Sequence, residues 1–146
     1  MNSRTPVHRL LIVFEADCGA EELCRGARER ADVHTSIRFV APVKVARSWS
    51  AEEINARRSA RAKLDEALEC LRQQGVTATA HLGSADPVAA IGDALADFPA
   101  DEVLIFTGPD PESWWLHKEV VERAHVRFRL PTAQVVLKPR RELTVA

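Results

Sequence analysis

The sequence predicts an α/β domain: a doubly wound parallel sheet of five strands with helices on both faces. Two observations lead to this prediction. Short aliphatic runs such as His8–Phe14 and Val103–Phe106 are almost unbroken, which is typical of strands covered on both faces. Between successive runs lie longer segments with apolar residues three or four positions apart, as in amphipathic helices. Strands that alternate with helices imply right-handed crossovers and a parallel sheet.

The elements follow one another without a repeat or a linker. In the second run, Thr35–Ala41, apolar residues alternate with polar ones and several are β-branched, which favours a strand. The strands are predicted at His8–Phe14, Thr35–Ala41, Thr77–Leu82, Val103–Phe106 and Thr132–Leu137. The helices are predicted at Ala20–Ala31, from Ala51 to about Gln74, from Pro87 to Pro99, and at Ser113–Phe128.

Helix boundaries are marked by residues that cap helices. Ser50 and Glu53 form a capping box ahead of the second helix, and Gly75 ends that helix. Asp86 caps the third helix, and Pro87 lies in its first turn, where a missing N–H costs nothing.

Composition points to one ordinary globular domain over residues 1–146, with its core at 8–138. The 146 residues are 46% hydrophobic and 28% charged, with a net charge of −1. This near-neutral charge gives no indication of binding to nucleic acid or a membrane surface. No apolar run has the length of a membrane span or the character of a signal peptide, so a cytoplasmic protein is expected.

The three cysteines, Cys18, Cys24 and Cys70, form no Cys-x-x-Cys motif and have no histidine at zinc-ligand spacing. We expect reduced thiols that act as small apolar residues. Cys18 lies in a loop beside the site proposed below, and it is the cysteine for which reactivity is worth testing.

Two blocks of the sequence resemble the universal stress protein family. In that family a Gly-x-Pro segment precedes a helix, and Ala-Asp precedes an apolar strand. The block from Gly83 to Phe106 follows this pattern loosely, at Gly83, Pro87, Ile91, Ala100 and Asp101. The block Trp114–Leu137 resembles the last helix, proline and final strand of the family.

The resemblance implies an adenine nucleotide alpha hydrolase-like fold with strand order 3-2-1-4-5. Its ligand crevice lies between the loops that follow the first and fourth strands. In ATP-binding members an acidic residue after the first strand, here Glu15 or Asp17, faces the adenosine, as does the end of the second strand, here Val40. The triphosphate rests on a glycine-rich segment after the fourth strand. Members commonly form homodimers through the last strand, here Thr132–Leu137.

The loop after the fourth strand departs from the family pattern. Gly108 is the last glycine of the chain, and Pro109 and Pro111 have no N–H to offer a phosphate. Asp110 and Glu112 add negative charge. The sequence therefore predicts that ATP does not bind in the usual family manner, although the helix start at Ser113 could receive an anion.

Three hypotheses follow. In the first, the chain is a non-catalytic stress-response or regulatory protein without a cofactor. In the second, it binds AMP or ATP in the crevice. In the third, it is a nucleotide-handling enzyme, although no catalytic or metal-binding residue is evident. The candidate binding residues are Glu15, Asp17, Val40, Thr107, Gly108 and Ser113.

Two other features carry less weight. Glu122-x-x-His125 is the only carboxylate–histidine pair at metal-like helical spacing, and we interpret it as solvated surface. Trp114 and Trp115 are adjacent in a predicted helix and point about 100° apart. We expect one to pack inward and the other to cover the crevice or meet a protein partner.

Overall fold

A computed structural model describes residues 7–15, 18–43, 50–109 and 111–137; between 111 and 118 it describes the backbone alone. Five strands alternate with four helices, as the sequence predicts. The strands are β1 (His8–Phe14), β2 (Thr35–Pro42), β3 (Thr77–Gly83), β4 (Glu102–Thr107) and β5 (Thr132–Val136). The helices are α1 (Ala20–Arg28), α2 (Ala51–Gln73), α3 (Pro87–Asp97) and α4 (Pro111–Phe128).

The strands form one parallel sheet in the order β3-β2-β1-β4-β5, which confirms the predicted topology. Strand β1 lies at the centre, where Ile12 is paired with Phe39 of β2 on one side and with Leu104 of β4 on the other. The chain runs outward from β1 to β2 and β3, and α3 then brings it back to β4 on the other side of β1. The boundary between β1 and β4 is therefore the topological switch point.

Each face of the sheet has its own core. Leu10, Ile12 and Phe14 of β1 pack with α1 and α2, whereas Leu11 and Val13 of the same strand pack with α3 and α4. Alternate residues of a strand point to opposite faces, so an unbroken apolar strand serves both cores. All five of these side chains are at most 3% exposed, as expected for a strand covered on both faces.

The helix caps form largely as predicted. The Ser50 hydroxyl accepts a hydrogen bond from the Glu53 amide at 3.2 Å, and the Asp86 carboxylate accepts one from Val88 at 3.3 Å. Gly75 has a φ of +77°, the left-handed conformation that favours glycine after a helix. Glu53 Oε2 is buried and has no hydrogen-bond partner among the described residues. The reciprocal half of the capping box is therefore not formed by that oxygen.

Helix α1 ends at Arg28, three residues earlier than predicted, because a polar turn follows it. Asp32 Oδ1 accepts hydrogen bonds from the His34 amide at 2.7 Å and from the Thr35 hydroxyl at 3.1 Å. These bonds lower the pKa of Asp32, the His34 amide having the largest effect. An aspartate that bonds to the backbone two residues ahead favours a turn over a further helical turn.

The expectation of three reduced thiols is wrong, because Cys24 of α1 and Cys70 of α2 form a disulfide. Their Cα atoms are 6.2 Å apart, within the range that a disulfide spans. Forty-six positions separate them in the chain, and only the packing of α1 against α2 brings them together. Cys18 is not part of this disulfide, and it is buried.

In the described ranges, none of the helices is long and apolar enough to cross a membrane.

Candidate functional site

The candidate site lies at the carboxyl ends of β1 and β4, on either side of the switch point. Glu15 directly follows β1, and Gly108 directly follows β4. From here the chain leaves in opposite directions, since α1 covers one face of the sheet and α4 the other. Such a divergence opens a crevice above the strand ends, where ligands bind in this class of sheet.

Glu15 bridges this crevice. Its Oε1 accepts a hydrogen bond from the Gly108 amide at 2.9 Å, and its own amide donates to the Phe106 carbonyl at 3.0 Å. Glu15 is partly buried and Gly108 is buried. The glycine amide that the sequence offers to a phosphate is thus bonded to a carboxylate, which carries the same sign of charge as a phosphate.

Cys18 lies beneath this bridge. Its amide donates to the Glu15 carbonyl at 3.1 Å, and its thiol lies 3.7 Å from the Phe106 carbonyl. With 3% exposure, its sulfur is shielded from solvent in this conformation. Burial makes a thiol a poor site of modification, so the geometry gives no indication that Cys18, the cysteine singled out for a test of reactivity, is reactive.

Thr107 faces β5 rather than the crevice. Its Oγ1 accepts a hydrogen bond from Gln134 Nε2 at 3.0 Å, and its carbonyl accepts one from the Leu137 amide at 2.7 Å. The residue is fully buried. Its polar atoms therefore tie β5 to β4, and a direct contact between its hydroxyl and a ligand would require β5 to move.

The side chain of Val40 belongs to the core between the sheet and α3. It is fully buried, and a Cβ placed on Gly83 would come within 2.8 Å of its Cγ1. Its position in the sequence predicted a residue that faces the adenosine, but in the structure the next residues, Ala41–Val43, line a surface cavity. At the end of β2, these neighbours rather than Val40 face the cavity.

That cavity has a volume of about 270 Å³ and lies between the ends of β1 and β2 and one face of α2. Its walls are mainly apolar, and Ser59 and Lys63 of α2 add polar groups. Ligand pockets commonly measure about 300–1,000 Å³, so this space suits a single base or nucleoside. Phe14 lines it directly ahead of Glu15, which places the cavity next to the crevice.

Several predicted residues cannot be placed in full. Asp17, Asp110 and Trp49 lie outside the described residues, and so do the side chains of Ser113, Trp114, Trp115 and His117. The backbone of Ser113 is helical, because α4 begins at Pro111, two residues before the predicted start. Proline is common at the first helical position, where its ring suits the required φ.

The described histidines lie away from the crevice. Nδ1 of His125 is 3.0 Å from the Leu130 carbonyl, so this nitrogen carries the proton and donates. His8 begins β1, at the opposite end of the sheet, and its Nε2 is 3.2 Å from Glu102 Oε1. Among the described residues there is no cluster of His, Cys, Asp or Glu that could hold a metal ion, and His125 bonds to a carbonyl as surface histidines do.

Comparison with solved structures identifies the fold. A universal stress protein family member from Burkholderia pseudomallei superposes with a TM-score of 0.64 at 19% identity, over 88% of this chain and 96% of that one. The universal stress protein from Archaeoglobus fulgidus in complex with dAMP superposes with a TM-score of 0.59 at 19% identity, over 88% and 98%. The chain has the universal stress protein fold. A further universal stress protein, in complex with cAMP, matches at 15% identity with a TM-score of 0.56, over 88% and 97%.

No protein-family model matches the sequence, and no curated protein matches it. The likeness to universal stress proteins therefore lies in the fold.

Within this universal stress protein fold, sequence reasoning missed the residues of α2 that wall the cavity. These residues are Ala56, Ser59, Ala60 and Lys63. Ala56 and Ala60 lie four positions apart and leave room where larger side chains would fill the space. Small residues at this spacing were a signal, but they are equally common where helices pack closely. Only the position of α2 over the ends of β1 and β2 distinguishes the two cases.

Proposed function

We propose that this chain is a non-catalytic regulatory protein of the universal stress type that does not bind a nucleoside triphosphate on the loop after β4. One observation carries the proposal: Glu15 Oε1 accepts the hydrogen bond of the Gly108 amide at 2.9 Å. In phosphate cradles, backbone amides of this kind point at the ligand. Here a carboxylate belonging to the protein already occupies that position.

Electrostatics support the same proposal. A phosphate placed near Gly108 would meet the like charge of Glu15 at close range, and the following residue, Pro109, has no N–H to compensate. Displacing the carboxylate would break a hydrogen bond to a charged group, which costs about 1.5–3 kcal/mol. The triphosphate would have to recover that free energy elsewhere.

Isothermal titration calorimetry of the full chain with adenosine, AMP and ATP tests this proposal. We expect the affinity for ATP to be no higher than that for AMP. ATP that binds at least tenfold more tightly than AMP would overturn the proposal. So would conversion of ATP into AMP or ADP in the same samples, since the protein is proposed to lack catalytic activity.

A second candidate function is binding of an adenine nucleoside or its monophosphate in the cavity between β1, β2 and α2. The supporting observation is the cavity itself, with Phe14 and Ala60 on its walls and Lys63 at its margin. Its volume of about 270 Å³ suits a base better than a whole triphosphate. Two structures of this fold contain dAMP and cAMP, both of them monophosphates. Binding of adenosine and AMP that is lost when the cavity is filled would support this function.

We further propose a homodimer formed through β5. The Val103 amide donates to the Pro131 carbonyl and the Leu137 amide to Thr107, so odd-numbered residues of β5 bond to β4. Even-numbered residues then direct their backbone groups outward. In this chain Val136 is 37% exposed, and β5 is the last strand of the sheet on that side. An apolar edge of this kind is normally covered by another chain or protected by charge.

A further inference from the structure

We propose that the disulfide between Cys24 and Cys70 is a thiol–disulfide exchange site for a small thiol that carries carboxylate groups, of the glutathione class. The disulfide joins α1 to α2 at the surface of the domain, on the face of the sheet that these two helices cover. This inference is independent of nucleotide binding, since it concerns residues outside the crevice and the cavity at the end of β2.

The disulfide is accessible through a surface pocket. The pocket has a volume of about 380 Å³ and is lined by Glu21, Cys24, Arg25, Arg28, Cys70 and Gln74. Cys24 is 2% exposed, whereas Cys70 is only partly buried. An attacking thiolate must approach one sulfur along the sulfur–sulfur axis. Cys70 is therefore the sulfur that is attacked, and Cys24 is the leaving group.

Gln74 is positioned to stabilise the leaving group. Its Oε1 accepts a hydrogen bond from an Arg28 guanidinium nitrogen at 2.9 Å, which fixes the orientation of the side-chain amide. Its Nε2 consequently points at both sulfurs, 3.4 Å from Cys70 Sγ and 3.7 Å from Cys24 Sγ. A bond from a cation polarises the amide and strengthens it as a donor. A donor at this place favours a thiolate over a thiol.

The charges that line the pocket suit an anionic thiol. Arg25 and Arg28 contribute two positive charges and Glu21 one negative charge, so the lining has a net charge of +1. Carboxylates on the incoming thiol are attracted by this charge, and the guanidinium fork matches their planar geometry. A neutral thiol of the same reactivity lacks this attraction.

The exchange takes place in two steps. The thiolate of the incoming molecule forms a bond to Cys70 Sγ while the bond between the two cysteine sulfurs breaks, and its electron pair stays on Cys24 as a thiolate. A second thiolate then attacks the sulfur of the first small molecule and releases the oxidised small-molecule disulfide and a Cys70 thiolate. Both cysteines gain one electron each, two small thiols are oxidised, and solvent protonates the cysteines according to their pKa values.

Mass spectrometry after quenched alkylation of the full chain tests this proposal. After incubation with oxidised glutathione and unfolding without reductant, we expect Cys24 and Cys70 to be protected and Cys18 to be alkylated. Reduced glutathione should reduce the disulfide, so that both cysteines become alkylated. The rate of this reduction is compared with the rate for 2-mercaptoethanol, a neutral thiol. A chain in which all three cysteines remain open to alkylation after oxidation would overturn the proposal.

Variants separate the roles of the charges and the amide. Arg28→Gln should slow reduction by glutathione about fivefold, the size of one exposed charge interaction, and should slow it less for 2-mercaptoethanol. Gln74→Leu should slow both reagents alike, because the leaving thiolate loses its donor. Arg58→Gln is the control, because it also removes one positive charge, at an exposed position of α2. It should change neither rate. Equal rates for wild type and Arg28→Gln with glutathione would refute the assigned pocket, provided that circular dichroism shows both folded.

Discussion

The Glu15 carboxylate accepts a hydrogen bond from the Gly108 amide at 2.9 Å, and this bond joins the two loops that border the switch point of the sheet. The two residues lie 93 positions apart in the chain. The bond occupies the amide nearest to the end of β4. A phosphate that uses this amide as a donor must therefore displace the Glu15 carboxylate.

Replacing Glu15 by alanine should improve ATP binding. The change removes a negative charge and the carboxylate that accepts from the Gly108 amide, so a phosphate could accept that hydrogen bond instead. We expect ATP affinity to rise about tenfold relative to AMP, which corresponds to about 1.4 kcal/mol. Calorimetry measures the affinities for ATP and AMP. Glu66→Ala is the control, because it removes the same charge at an exposed position of α2. An unchanged ratio of the two affinities would mean that Glu15 does not exclude the triphosphate.

Filling the cavity at the end of β2 should abolish nucleoside binding. Ala60→Leu adds a branched side chain to a wall of the 270 Å³ cavity, and adenosine would then clash with it. Ala62→Leu adds the same atoms at an exposed position of α2 on the opposite side, so it should leave binding unchanged. If both variants and the wild type give the same heat with adenosine and AMP, the ligand binds elsewhere.

Introducing a charge on β5 should separate the proposed dimer. Val136→Lys places two like charges near each other when the strands pair, and an edge lysine disfavours pairing. Light scattering should give a dimer for the wild type and a monomer for the variant at tens of micromolar. Val33→Lys, at an 84% exposed position in the connection between α1 and β2, is the matched control and should remain dimeric. If the wild-type protein is a monomer, the proposed homodimer through β5 is refuted.

Gly26→Ala should destabilise the domain although alanine is the better helix former. A Cβ at Gly26 would lie 2.8 Å from Leu137 Cδ2 and 3.0 Å from Phe106 Cε2. Overpacking of this kind costs about 1–3 kcal/mol, against a gain in helix propensity of about 1 kcal/mol. We expect a lower free energy of unfolding in urea.

Gly92→Ala in α3 provides the comparison for this effect. Its Cβ would lie 3.3 Å from the nearest atom of the Phe128 ring, so it should have little effect or stabilise the fold. If Gly26→Ala is as stable as Gly92→Ala, α1 is not held as closely to the sheet as the structure shows.

The titration of His81 should depend on Arg38. Burial lowers the pKa of His81 most, and the positive charge of Arg38 lowers it further; an Arg38 guanidinium nitrogen lies 3.4 Å from the imidazole Nδ1. Asp97 opposes the shift and Arg61 adds to it. Arg38→Gln should therefore raise the pKa of His81 towards its usual value, as measured by NMR, while Arg58→Gln should not change it.

The sign of the resulting stability change follows from the direction of the shift. The folded state holds a proton on His81 less readily than the unfolded state, so unfolding takes up a proton between the folded pKa and 6.5. Stability should therefore fall as the pH decreases through this window. A smaller decrease is expected for His81→Gln, and an equal decrease in both proteins would show that His81 makes no contribution.

The amino-acid sequence by itself determined the order and kind of the elements. Unbroken aliphatic strands, helical stripes and caps at Ser50, Gly75 and Asp86 are local patterns, readable within a few turns or one strand. The alternation of strands and helices then restricts the topology to a few arrangements. A resemblance over nearly the whole chain selected the order 3-2-1-4-5, which the structure confirms.

Only the tertiary structure decided which groups meet at the site and beside it. Folding closes the bridge from Glu15 to Gly108, pairs Cys24 with Cys70 and turns Thr107 towards Gln134. Each of these contacts joins residues at least 27 positions apart, and none leaves a periodic trace in the chain. The physical reason is that local patterns determine which faces are buried, whereas the packing of whole elements determines the distances between side chains on those faces.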